Sequence, residues 1–322
     1  MLRLQFILLL ILLLPAAECF SQETDPGPGY QMVMMNNPAL SGSDGDGTLR
    51  MSYLNHLPGN GYNLHSFYLS FDSYFQALHG GASFYLAEDY IGGNVNNLRG
   101  GLAYSYFLQA GEELFITAGL TGSVYHQGYN FKNPVLPDMI DPLGGVTLST
   151  SEVLKASGRT VFDLGTGFTF ISKYFSGGIA IQHLAEPDMS LPGMQKEEIK
   201  RKLYLHLFGD LPLGKSQKVY ARPLAFFSYQ DDLFLTGAGL SVENEYLAAN
   251  AITMADNAGN VNFQTGFSFK AGIVRFTYSY RFNIVTGNSL MPMSLLHQTG
   301  LAFSLYHVDK RKTVKTINFP KL

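Results

Sequence analysis

The sequence predicts an all-β protein, a transmembrane antiparallel β-barrel of about fourteen strands of the bacterial outer-membrane kind. Three observations lead there. Stretches of roughly ten residues alternate apolar with small or polar side chains between residues 48 and 308, and side chains swap faces at every residue only in an extended strand. The composition pairs 34 glycines, 19 tyrosines and 24 phenylalanines with only 15% charged residues, which suits an aromatic, lipid-facing wall around a crowded interior. Beyond the leader, no stretch approaches the ~20 apolar residues of a spanning helix. A membrane protein built from this chain therefore has to close a sheet on itself.

The elements follow in order. Arg3 precedes an apolar run over residues 6–14, then Pro15 and small residues lead to Cys19-Phe20-Ser21-Gln22. That is the layout of an export signal, with cleavage expected after Ser21 and residues 1–21 removed. Glu18 fits poorly before a lipid-modified cysteine, so Cys19 is read as part of the leader; it is the only cysteine, and the mature chain has no thiol chemistry. Residues 22–47 form an N-terminal segment expected in the periplasm. Strands are predicted near 48–56, 64–72, 80–87, 97–107, 113–126, 160–171, 174–184, 201–211, 217–228, 233–242, 246–255, 261–269, 272–282 and 296–308, so the barrel covers 48–308. One set of links is short, as at Ala110-Gly111-Glu112, Ser172-Lys173 and Lys270-Ala271. The alternate set is long and wet: 89–96, 127–159, 185–200 and 283–295. Short periplasmic turns and long external loops are the asymmetry of such barrels, which puts both termini, including a basic tail over 309–322, in the periplasm.

Several strands sort their faces explicitly. In the last, Leu301, Phe303 and Leu305 oppose Gly300, Ala302, Ser304 and Tyr306. In 272–282, Val274, Phe276, Tyr278, Tyr280 and Phe282 oppose Arg275, Thr277, Ser279 and Arg281. Arginine facing lipid near the midplane costs ~2–4 kcal/mol, so Arg275 and Arg281 are expected in the lumen. Asp163, on the polar side of a strand bearing Phe162, Leu164, Phe168 and Phe170, is a candidate lumenal counter-charge for an arginine, either as an ion pair filling the interior or as part of a substrate site. Tyr104, Tyr106 and Tyr278 read as interfacial aromatics.

Other classes find little support. A net charge of -3 gives no nucleic-acid footprint. The eight histidines form neither HxxxH nor HExxH, and no cysteine joins them, so neither a metal nor another cofactor is expected. Glycine pairs such as Gly100-Gly101 lack the strand–loop–helix setting of a phosphate cradle. A barrel lipase would need serine, histidine and an orienting group brought together across strands, and no nucleophile motif announces one. No enzymatic activity is expected.

Three motifs and the tail point further. Asn37-Pro38-Ala39-Leu40-Ser41-Gly42 resembles the NPA-containing N-terminal motif of the PorP/SprF family of type IX secretion membrane proteins. Ile181-Gln182-His183-Leu184-Ala185-Glu186-Pro187 is similar to that family's HLxxP strand end, and Leu136-Pro137-Asp138-Met139-Ile140-Asp141-Pro142 to its PDM loop followed by Asp-Pro. The closing Lys315-Thr316-Ile317-Asn318-Phe319-Pro320-Lys321-Leu322 resembles its basic tail. The likeness spans nearly the whole mature chain; one departure is the absence of tryptophan, with Ser52-Tyr53-Leu54 following Arg50-Met51.

The resemblance implies an integral outer-membrane component of type IX secretion or gliding, embedded in lipid. It would bind a secreted adhesin through its C-terminal targeting domain, or the periplasmic ring lipoproteins and an OmpA-like partner. Partner-binding candidates are Asn37 and Pro38 in the N-terminal segment, Asp138 and Asp141 in the longest loop, His183 and Pro187 at the strand end, and Lys312 and Lys315 in the tail. Replacing Asn37-Pro38 is expected to disturb assembly at the periplasmic side without preventing insertion. The competing function is a passive channel or a transporter of hydrophobic compounds.

Overall fold

In a computed structural model, residues 32–45, 47–59, 64–111, 113–129, 139–141, 145–146, 157–191, 196–214, 218–286 and 295–305 are described. The expected leader, the tail with Lys312 and Lys315, and Asp138 lie outside them.

Fourteen strands alternate along the chain: β1 (Gly47–His56), β2 (Leu64–Phe75), β3 (Gly80–Ile91), β4 (Val95–Gln109), β5 (Phe115–Tyr129), β6 (Ser157–Ile171), β7 (Phe175–Gln182), β8 (Lys202–Gly209, resuming as Leu211–Leu213), β9 (Val219–Gln230), β10 (Leu233–Glu243), β11 (Leu247–Asp256), β12 (Val261–Ala271), β13 (Val274–Val285) and β14 (Leu296–Leu305). Each pairs antiparallel with its neighbours in sequence, and β1 pairs with β14, Gly47 opposite Leu305 and His56 opposite Leu296. The sheet is a closed barrel, so it has no permanent edge of the kind that an open sheet exposes. All fourteen sequence-predicted strands are present.

Burial alternates along the wall as the sequence does. On β1, Arg50, Ser52, Leu54 and His56 are buried while Met51 and Tyr53 are exposed. On β13, Thr277 and Arg281 are buried and Phe276 is exposed, so the arginine-bearing face is the inner one. The outer face is a band of Phe, Leu, Ile and Tyr, and Tyr104 and Tyr106 lie on it. Inside, Phe107, Phe115, Ile171, Tyr204, Phe208, Leu224, Phe226, Ile252 and Met254 form one apolar cluster. Charges between these layers are neutralised locally. Arg50 binds Asp44 and Asp72, Arg222 binds Asp210 and Glu243, and Arg99 lies 2.6 Å from Asp89. Buried polar groups are tolerated when paired in this way.

At the rim where β1 begins and β14 ends, here the terminal rim, every link is short. At the far rim the links include 130–156, 183–201 and 286–295, but three, 92–94, 231–232 and 257–260, are tight. Residues 89–96, expected to be a long loop, are mostly strand: β3 runs to Ile91, β4 starts at Val95, and Asn94 N–H donates to Ile91 C=O at 3.3 Å. The physical reason is twofold. Asp89 is not a loop residue but an inward one neutralised by Arg99, and Gly92-Gly93 supplies the positive φ that a tight turn requires. At Asp231-Asp232 both residues have positive φ, the geometry that joins twisted strands in two residues.

Candidate functional site

The most densely built site is where the N-terminal segment meets the inner wall. Met32 packs against Leu54, Tyr68, Tyr85, Ala87 and Leu296. From there a single helical turn, Val33–Asn36, and a 3-10 turn, Pro38–Leu40, carry the chain toward the terminal rim, with Leu40 joining the apolar cluster. Asn37 starts the second turn in extended conformation, and its side chain accepts from Ala39 N–H at 2.9 Å. An Asn cap followed by proline at the first helical position is a self-sufficient local signal. Pro38 has no N–H to satisfy, and Asn37 satisfies that of Ala39.

The wall then engages this motif atom by atom. Asn37 Nδ2 donates to Thr169 Oγ1 at 3.1 Å and to Phe168 C=O at 3.4 Å. Ser41 shares a hydrogen bond with Ser83 at 2.9 Å, and its carbonyl accepts from Ser105 Oγ at 2.6 Å. Gly42 N–H donates to Asp72 Oδ2 at 2.9 Å, which ties the motif to Arg50 and Asp44. Gln182 donates to the Met35 carbonyl and, at 3.2 Å, to that of Asn36. These wall groups face inward: Ser83, Ser105 and Thr169 are buried, whereas Phe84, Tyr104, Tyr106, Phe168 and Phe170 on the same strands are exposed.

Close approach depends on glycine. A Cβ at Gly119 would strike the Pro38–Ala39 backbone, one at Gly167 the Asn37 side chain, and one at Gly81 the Ser41 carbonyl. Glycines on β3, β5 and β6 thus leave a groove only as deep as a missing side chain, and the motif fills it.

Asn37 and Pro38 are therefore fully buried inside the barrel rather than displayed on a periplasmic arm. The difference from a periplasmic segment has a plain cause: the partners of Asn37-Pro38, Thr169 and the glycines, are remote in sequence. The outward signal was available, since Gly81, Gly119 and Gly167 all fall on inward positions of predicted strands.

His183 and Asp163 meet in the lumen. Nδ1 of His183 lies 2.8 Å from Asp163 Oδ2, and both side chains are buried. The counterpart of buried Asp163 is histidine and not arginine. Arg275 instead donates to Ser268 at 3.1 Å, and Arg281 to Gln264 at 3.1 and 3.0 Å. His183 adopts a left-handed φ of 56°, as does Glu186 at 44°, so the chain leaves the wall there. Buried Pro187 follows, and a hairpin closes through Asp188 opposite Glu198. Hydrogen bonds from Lys196 and Lys200 hold the Glu198 carboxyl down at about 2. Asp141 lies in a two-residue strand, Ile140–Asp141, paired with Gly145–Val146.

Between the helical turn and the wall lies a cleft of about 520 Å3, counting its open mouth, lined by Met34, Asn36, Arg99, Asp163, Gln182 and Lys202 among others. Among the described residues no three His, Cys, Asp or Glu side chains converge as a metal site would require.

Comparison with known proteins adds two kinds of likeness. The sequence profile of the family described as type IX secretion system membrane protein PorP/SprF matches residues 30–293. No protein of curated function matches in sequence. Among solved structures, the chain is similar to the Pseudomonas putida toluene transporter TodX, with TM-score 0.51 at 12% identity over 84% of this chain and 93% of that one. It is likewise similar to the deltaS2S3 mutant of the TodX monoaromatic hydrocarbon channel, with TM-score 0.50 at 9% identity over 84% and 93%. At such identities the likeness is one of fold.

Proposed function

From the premise that this chain belongs to the PorP/SprF family of type IX secretion system membrane proteins, we propose that it is an anchoring and assembly component of the outer membrane and not a conduit. Its client is a secreted adhesin held through the C-terminal targeting domain, with the periplasmic ring lipoproteins and an OmpA-like protein as partners on the other side. In this reading the short links face the periplasm and the long loops the exterior, following the usual asymmetry.

One observation carries the choice of binding over transport. The lumen is occupied by the chain's own N-terminal segment, bonded to wall residues on β2, β3, β4, β6 and β7. An interior so filled offers side chains to hold and little space to pass. The far-rim hairpin around Pro187 and the loop containing Asp138 and Asp141 are the surfaces presented to an external client; the tail with Lys312 and Lys315 is the surface for an acidic periplasmic partner.

The test combines deletion with reconstitution. Loss of adhesin display on deletion, with purified barrel giving no steady conductance in planar bilayers, supports anchoring. Intact display with altered solute uptake would establish the channel instead. Hydrolysis of phospholipid by the purified protein would point to an enzyme.

A further inference from the structure

The segment that fills the lumen has a direction. Its C-terminal end sits at the terminal rim, where a Cβ on Gly42 would strike Ser73, two residues from the end of β2, and Gly81, one from the start of β3. Its first described residue, Met32, packs instead against Tyr68 on β2 and Tyr85 and Ala87 on β3, and against Leu54 and Leu296 on β1 and β14. Leu296 is the first residue of β14 and Leu54 lies two short of the end of β1, both near the far rim. Four residues separate Ala87 from the end of β3 at Ile91, about 13 Å at the rise of a strand. From residue 42 back to residue 32, the chain therefore climbs the inner wall from one rim toward the other.

A return to the terminal rim is blocked by the segment itself. Between Met32 and that rim the lumen holds Met34, Asn37, Ala39 and Leu40, each at most 3% exposed. Beyond them come the apolar cluster and the contacts of Arg50 with Asp44 and Asp72. Toward the far rim there is space. The cleft beside Met34 and Asn36 is walled by the far-rim parts of four strands: Arg99 lies four residues from the start of β4, Asp163 six from the start of β6, Gln182 ends β7 and Lys202 begins β8.

The walls of this cleft match a polypeptide of acidic character. Asp163 Oδ1 is buried and meets no hydrogen-bond donor among the described residues. Buried carboxylate oxygens are normally paired, and a backbone N–H is the donor that every residue except proline carries. Arg99 is balanced by Asp89, and Asp163 bonds His183 through its other oxygen; Lys202 adds positive charge. Residues 22–31, outside the described ones, carry Glu23 and Asp25 and no base. Ten residues reach about 33 Å when extended, more than enough to clear the rim from Met32.

We infer that the chain ahead of Met32 leaves the lumen through the far rim, so that the polypeptide enters and leaves the barrel on opposite sides of the membrane. Thr24 and its neighbours then stand among the long loops and not on the side where β14 ends. They form a further contact surface there, tied through Asn37 to the wall. The inference does not depend on which rim faces the cell exterior.

Cys19 is the only cysteine and falls in the expected leader, so single cysteines in the full chain report the two sides. Thr24→Cys is the probe, Asp232→Cys marks the far rim and Lys173→Cys the terminal rim, both at exposed positions. Each is treated with a membrane-impermeant maleimide, on intact cells and after permeabilisation of the outer membrane, with the unsubstituted chain as blank and heat-modifiable gel mobility to confirm the barrel. In intact cells Thr24→Cys should be labelled together with Asp232→Cys and at least tenfold more than Lys173→Cys. Labelling of Thr24→Cys only in company with Lys173→Cys, or in neither state, overturns the inference. If Lys173→Cys is the one reached in intact cells while Thr24→Cys still accompanies Asp232→Cys, the inference stands and the outward placement of the long loops is refuted.

Discussion

Replacing Asn37 by alanine should release the N-terminal segment without opening the barrel. The side chain is fully buried and makes bonds to Thr169 at 3.1 Å and Ala39 N–H at 2.9 Å, with a longer one to Phe168 at 3.4 Å. Two good hydrogen bonds contribute about 1 kcal/mol each, and the Ala39 N–H left buried without a partner adds a penalty of about 1–3 kcal/mol, so the docked segment should lose about 3–5 kcal/mol. At a factor of ten per 1.4 kcal/mol, its undocked population rises roughly 140- to 4,000-fold. Hydrogen exchange on the purified barrel reads this directly. The amides of Leu40 and Ser41, which bond to Asn37 and Pro38 carbonyls, should exchange at least tenfold faster, while strand amides and heat-modifiable mobility stay unchanged. Unchanged exchange at these amides would refute the wall contacts as the segment's anchor. Collapse of the whole barrel would show that the segment is part of its folding core rather than docked against it.

Three further outcomes follow from the same geometry. Gly119→Val places side-chain atoms where the Pro38–Ala39 backbone runs, so it should displace the segment more completely than Asn37→Ala; protease cleavage within 32–45 in the variant but not the parent checks this. His183→Ala removes the partner of a buried carboxylate, costing about 3 kcal/mol, and should appear as a lower midpoint of unfolding in denaturant together with faster exchange at Leu184. The ion pairs of Glu198 depress its carboxyl from 4.5 to about 2. A depressed acid contributes its stabilisation above its unfolded value and loses it as pH falls through the folded one; the hairpin should therefore keep its exchange protection down to about pH 4 and lose it toward pH 2. Loss already near pH 5 would rule out the Lys196–Glu198–Lys200 contacts.

The barrel was legible because its physics is local and repetitive. Alternation fixed each strand's faces, and Arg275 and Arg281 had to face inward on cost alone. What was not legible depended on pairs distant in sequence. Asp163 finds His183 across β6 and β7, and nothing in either strand's pattern distinguishes that partner from an arginine. Asp89 looked wet because its neutralising Arg99 lies across a hairpin whose tightness rests on two glycines. The docking of the N-terminal segment was the least legible part: nothing local to Asn37-Pro38 names its partners, and only the glycines of three separate strands disclose that the turn is received by a wall. The break at His183 was hidden for a related reason, since β propensity continues past Gln182 and a left-handed residue ends the strand.

The central claim, that this barrel grips a polypeptide instead of passing solutes, is tested most directly by native mass spectrometry of the full chain extracted from its own membrane in mild detergent. The account predicts a barrel carrying a stoichiometric second polypeptide of the type IX secretion apparatus or one of its secreted clients. A bare barrel, or one carrying only small hydrophobic molecules in its lumen, would contradict it.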